Sequence, residues 1–159
     1  MTNKFFTLCY HYVRNFDSDD PFNRILGTTE DDFYLQMEKL AKNYEFITLD
    51  DVFHLLYDQK NFNSNKTSLL ITFDDGLSDH YAASKILSEF DIQGVFFIPT
   101  CIINDNKPAS PTIIHYAIAK FGIQKFLAVY NEFINENLSN PFDYQIKFNG
   151  KKESINETM

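Results

Sequence analysis

Apolar positions in this chain fall into short continuous runs separated by stretches with helical spacing. Residues 5–13 (FFTLCYHYV) are aromatic and β-branched enough to predict a buried strand. Residues 14–28 are polar, contain Pro21 and Gly27, and read as a loop. Thr29 then opens a helix as its N-cap, with Asp32 placed as a capping-box acid. Phe33, Met37, Leu40 and Ala41 recur at helical spacing through Lys42. Residues 45–49 (EFITL) predict a short strand. Asp50 caps a second helix whose apolar face is Val52, Phe53, Leu55 and Leu56, ending near Gln59.

After turn material at 61–66 (NFNSNK), residues 68–73 (SLLITF) form the near-continuous apolar run expected of a strand buried on both faces. Asp74-Asp75-Gly76 stops it. Ser78 caps a third helix carrying Tyr81, Ala82, Ile86, Leu87 and Phe90, and residues 91–94 turn back. Val95 to Ile98 is the next buried strand, closed by Pro99. Strand, helix and strand in this order predict a parallel pair with a right-handed crossover. Residues 104–111 are a polar loop with Pro108 and Pro111, and 112–137 follow a helical pattern broken at Gly122. Residues 138–159, rich in Asn, Lys and Glu, are expected to form a loosely ordered polar tail behind an α/β unit over 1–137. The chain thus offers about four strand-like segments, whereas a closed parallel barrel takes roughly 250 residues. It is either a small open sheet covered by its C-terminal helices or the front part of something larger. Strands that look buried on both faces, with few elements to cover them, favour the second.

Composition narrows the partners. The 159 residues carry 14 Lys and Arg against 22 Asp and Glu, a net charge of −8, and contain no basic tract. That argues against nucleic acid or an anionic membrane surface. Cys9 and Cys101 make neither a disulfide framework nor a paired-cysteine zinc pattern. No apolar run approaches the roughly 18–20 residues of a membrane span. The opening residues do not read as a secretory signal, so a soluble cytoplasmic protein is expected.

The chemistry concentrates in residues 69–76 (LLITFDDG). Burying two adjacent carboxylates costs several kcal/mol unless they are paired or bound to a cation. Neighbouring strand residues face opposite sides, so Asp74 and Asp75 serve one pocket only if the strand has already ended, which Gly76 permits. The ends of parallel strands are where α/β folds gather their sites. The plainer reading is a turn followed by a helix cap. The four histidines are dispersed. His11, near the end of the first strand, and His80, just after the acids, are candidate pocket residues. A solvated first-turn position is the simpler reading of His80. His54 reads as a core-edge residue, and the role of His115 is open. The 17 Phe and 9 Tyr are read mostly as core; Tyr10 and Phe73 are better suited to packing than to stacking on a sugar.

Thr72-Phe73-Asp74-Asp75-Gly76 resembles the first motif of the polysaccharide deacetylases, the NodB-homology family of carbohydrate esterases. Tyr10-His11 is similar to the pair that opens many longer members. Gly94-Val95-Phe96-Phe97-Ile98-Pro99-Thr100 is similar to the family's following strand, and residues 33–51 to its lead-in. The likeness covers roughly residues 5–100. It implies a distorted (β/α) barrel, here partial or truncated, and metal-dependent hydrolysis of acetyl groups on a polysaccharide or other sugar. It also implies a divalent metal, commonly zinc, with Asp74 as general base and Asp75 as metal ligand. The family's second motif, His-(Ser/Thr)-x-x-His, has no match here, nor do the later motifs that supply an arginine and a histidine acid. One carboxylate is a poor zinc site where three protein ligands are usual. The catalytic apparatus is therefore expected to be incomplete in this chain, with the histidine motif beyond Met159. A metal site assembled from Asp75, His80 and His11 or His115 would depart from the family. The alternative is a non-catalytic carbohydrate-binding or regulatory relic of the fold. A weaker third reading takes Asp74-Asp75 as a magnesium-binding acidic pair.

Overall fold

The computed structural model describes residues 5–58, 66–137, 145–148 and 151–154. Its organising element is β3 (Thr67–Phe73), in which every residue after the first is buried. Along one side of it, β1 (Phe5–Tyr10) runs parallel in a register from Phe5 opposite Ser68 to Tyr10 opposite Phe73. The other side is shared, with β2 (Tyr44–Phe46) pairing at its start and β4 (Gly94–Phe96) at its end, both parallel. The crossovers between these strands are α1 (Glu30–Asn43), α2 (Leu49–Tyr57) and α3 (His80–Glu89). The class is α/β with a parallel sheet, as the strand–helix–strand order predicts. The described strands do not close into a barrel.

Alternation along β3 divides the core. Leu69, Ile71 and Phe73 enter one cluster with Tyr10, Phe33, Met37, Ala83, Leu87 and Ile92, under α1 and α3. Leu70 enters a smaller one on the opposite face with Ile47 and Val52, against Phe5 and Val95. Phe33, Met37, Ile71 and Phe73 are fully buried, and each such side chain contributes roughly 1.5–3 kcal/mol. Tyr10 and Phe73 stack at 5.7 Å inside this core, and the Tyr10 hydroxyl donates to Gln36 Oε1 at 2.8 Å. Both rings are packing residues.

Several boundaries differ from expectation for identifiable reasons. Thr29 caps α1 and accepts from the Asp32 amide, as expected. The cap of α2 is Thr48, not Asp50. Its hydroxyl accepts from the Asp51 amide while the Asp51 carboxylate accepts from the Thr48 amide at 2.8 Å, a full capping box that ends the preceding strand early. Ser78 does not cap α3; its carbonyl takes the Tyr81 amide in a turn, and the N-cap Asp79 makes no side-chain cap. The strands predicted over 5–13 and 95–98 are shorter and less buried than their sequences suggest, with Phe6, Phe97 and Ile98 more than half exposed. Among the described residues each lies at a sheet edge, and an apolar run does not distinguish an edge from a centre. Residues 100–104 form α4 (Thr100–Asn104), which the sequence reading did not foresee. α5 (Ser110–Phe121) takes Pro111 into its first turn, where a missing N–H costs nothing. Gly122, at φ 82°, makes the expected break before α6 (Ile123–Asn137). Within 138–159, β5 (Gln145–Phe148) and β6 (Lys151–Ser154) pair antiparallel, and the rest of that segment lies outside the described residues, as does the predicted turn at 61–65.

Candidate functional site

The parallel register of β1 and β3 sets the site. Cys9 lies opposite Thr72, so by strand alternation the two share the face turned away from α1 and α3. Two residues further along each segment, just past the strand ends, His11 and Asp74 come together on that side. The Asp74 amide donates to the Tyr10 carbonyl at 3.0 Å, which continues the ladder past the last formal pair. The result is a cluster at the C-terminal mouth of the sheet. The Cys9 thiol donates to Asp74 Oδ2 at 3.4 Å, and His11 Nε2 lies 3.9 Å from the same oxygen. One ligating atom from each of Cys9, His11 and Asp74 lies within 4.8 Å of the other two. Among the described residues this is the set of three cation ligands that the fold assembles; Asp75 belongs to no such set.

The strand ends at Asp75. Its φ of 75° and that of Gly76, 59°, are both left-handed, a conformation that Asp tolerates better than most residues and glycine adopts freely. Had β3 continued, alternation would send the Asp75 carboxylate to the far face. Instead the backbone turns there, and the Asp75 charge is felt at both Cys9 and Tyr12. Gly76 also sits tight under α4: a Cβ there would meet Ile98 at 3.1 Å and Ile102 at 3.2 Å. The Cys9 thiol is pushed above its ordinary range. Desolvation is the largest cause although the residue as a whole is exposed; Asp74 and Asp75 add to it and a hydrogen bond with Thr72 opposes it.

The histidines separate into distinct roles. His80 is buried, not solvated: its Nε2 lies 2.9 Å from the His11 carbonyl, and its ring packs 5.1 Å from Phe73. It braces the backbone that carries His11 and does not join the ligand cluster. His115 Nδ1 pairs with the Tyr12 hydroxyl at 3.0 Å, tying α5 to the segment after β1. His54, half exposed, faces Asp58 one helical turn on at 2.6 Å. The site built from Asp75, His80 and His11 or His115 is not assembled among the described residues.

Sequence reasoning passed over two groups. Cys9 has no paired cysteine to mark it, and its place opposite Thr72 follows from the β1–β3 register. Arg14 was not singled out. It is largely buried, 3.3 Å from Asp20 and 3.4 Å from Asp79, yet its other terminal nitrogen and Asp79 Oδ2 make no aligned hydrogen bond. Burial raises the Asp79 carboxyl above the ordinary range, with Arg14 the main opposing influence. A cavity of about 570 Å³ opens between α5 and α6, lined by Phe121, Phe126, Val129 and Phe133, and shares no residue with the acidic turn. No described helix is long and apolar enough to cross a membrane.

No family model matches the chain, and no curated protein matches it. Solved structures do. The Streptococcus pyogenes deacetylase PplD in complex with acetate is similar at 23% identity and a TM-score of 0.54, over 70% of this chain and 50% of PplD. BC0361, a polysaccharide deacetylase from Bacillus cereus, is similar at 20% identity and a TM-score of 0.46, over 67% of this chain and 33% of that one. The chain therefore spans half the length of PplD. On the strength of the PplD match its fold is deacetylase-like, as the resemblance in the sequence implied.

Proposed function

We propose that this chain contributes the front part of a distorted (β/α) barrel to the hydrolysis of acetyl groups on a polysaccharide or other sugar. The observation that carries the reading is the placement of Asp74 and Asp75 where the central parallel strand of a deacetylase-like fold ends. Asp74 is the proton acceptor in this reading. Its Oδ2 already accepts from the Cys9 thiol, and its backbone is held by Tyr10, so a water delivered beside it meets a fixed carboxylate. Asp75, turned by its left-handed backbone, is the metal ligand. A bound divalent cation such as zinc would supply an acidified water and polarise the acetyl carbonyl. Among the described residues no set of three ligands gathers at Asp75, so in this reading the remaining ligands, with the arginine and the histidine acid, are supplied from outside them.

The missing set at Asp75 is also what favours the second reading, a carbohydrate-binding relic that has kept the fold. Acetate release from an acetylated sugar oligomer and calorimetric binding of that oligomer decide between them. The chain alone is expected to release acetate only at background; turnover at ordinary enzyme rates with zinc retained would refute the incompleteness. Binding that is lost with chelator or Asp75→Ala supports the deacetylase reading. Binding indifferent to both supports the relic, and no binding removes both.

A further inference from the structure

We propose that Cys9, His11 and Asp74 form a capture site for a thiophilic divalent cation of the zinc class. Cys9 Sγ and His11 Nε2 stand 3.4 and 3.9 Å from Asp74 Oδ2, and one ligand atom of each residue lies within 4.8 Å of those of the other two. Zinc bonds thiolate sulfur at about 2.3 Å and imidazole nitrogen at about 2.0–2.1 Å, so donors sharing one tetrahedral ion are separated by roughly 3.3–3.7 Å. Small side-chain rotations close the difference.

The backbone that carries these donors is fixed. Cys9 lies within the paired register, the Asp74 amide is bonded to the Tyr10 carbonyl, and the His11 carbonyl is held by buried His80. The donor chemistry is selective. A thiolate and an imidazole suit zinc or cobalt, whereas magnesium and calcium prefer oxygen alone. All three side chains are open to solvent, so an ion has access, and three protein ligands leave a fourth position for water. As the ion binds, the Cys9 S–H bond breaks, its proton leaves to solvent, and the sulfur lone pair goes to the metal. On the function proposed above, the cation and the water's proton then compete for one carboxylate, that of Asp74.

Cobalt(II) titration of the reduced 159-residue chain tests this directly, because a thiolate ligand gives a near-ultraviolet charge-transfer absorption that carboxylate and imidazole ligands do not. One equivalent of cobalt is expected to bind with that band. Cys9→Ser should remove the band, and His11→Ala and Asp74→Asn should each weaken cobalt binding by tenfold or more. Cys101→Ser should leave both within twofold, and added zinc should displace the cobalt. Absence of the band in the unaltered chain overturns the proposal. So does a band that survives Cys9→Ser, which would move the ligand to Cys101, or binding lost on Asp75→Asn, which would centre the site on that residue. A cobalt band in a chain that binds no acetylated oligomer keeps the capture site and removes the function proposed above. Oligomer binding without a band does the reverse.

Discussion

At the scale of single residues, the Cys9 thiol reports on its surroundings. Asp74 raises its pKa through both a hydrogen bond and its charge, Asp75 through charge alone, and Thr72 lowers it. Alkylation proceeds through the thiolate, so the rate at mildly alkaline pH orders the three neighbours. Asp74→Asn is expected to speed modification of Cys9 severalfold, Asp75→Asn less, and Thr72→Val to slow it, as read by mass spectrometry at Cys9 with Cys101 as the internal reference. Equal rates in all variants would mean that these groups do not face the thiol in solution. The acids and His11 were legible in the sequence because a charged pair ending an apolar run is conspicuous. Cys9 was not, because its membership depends on a register between strands some 60 residues apart, and nothing local encodes that register. The burial of His80 is hidden in the sequence for a related reason. A first-turn histidine is commonly solvated, but here α3 starts against the end of β1, and the ring is buried where it meets the His11 carbonyl.

At the scale of elements, the caps carry a prediction with a defined pH window. The Asp51 carboxyl is held below its ordinary 3.8 by the backbone and side-chain hydrogen bonds of Thr48. A carboxyl with a folded-state pKa below its unfolded value adds stability above the unfolded value and loses it as the pH falls through the folded one. Asp51→Asn is therefore expected to lower Tm at neutral pH, with the gap to the unaltered protein closing below about pH 3.8. Thr48→Ala removes the other half of the box and is expected to cost about 1 kcal/mol by denaturant unfolding at pH 7. If Thr48→Ala were neutral, α2 would be held by packing alone. The helices α1 and α3 and the strand β3 were readable from periodicity and apolar continuity. Phe97 and Ile98 were not, because an edge strand and a central one share the same composition until a neighbour is placed beside them.

At the scale of the whole molecule, protection should follow the sheet. β3 is hydrogen-bonded on both sides and buried, whereas β1 and β4 each have one paired side among the described residues. Native-state hydrogen exchange is expected to find the amides of residues 69–73 the slowest, with those of α5 and α6 faster by orders of magnitude. Protection in α6 equal to that in β3 would place the cooperative core elsewhere. The aromatics read from the sequence mostly as core, yet many are exposed, Phe121 and Phe133 among them. Helical spacing shows which face is apolar, but it does not say whether another layer lies against it. Because three strands take their alignment from one, β3 is also a single point of failure. Deleting one residue between Thr67 and Phe73 would exchange its two faces, eject Phe73 from the aromatic cluster and swing Asp74 away from Cys9 and His11 in the same stroke. Folding and chemistry in this chain are thus exposed to the same frameshift of one position, and neither can drift without the other.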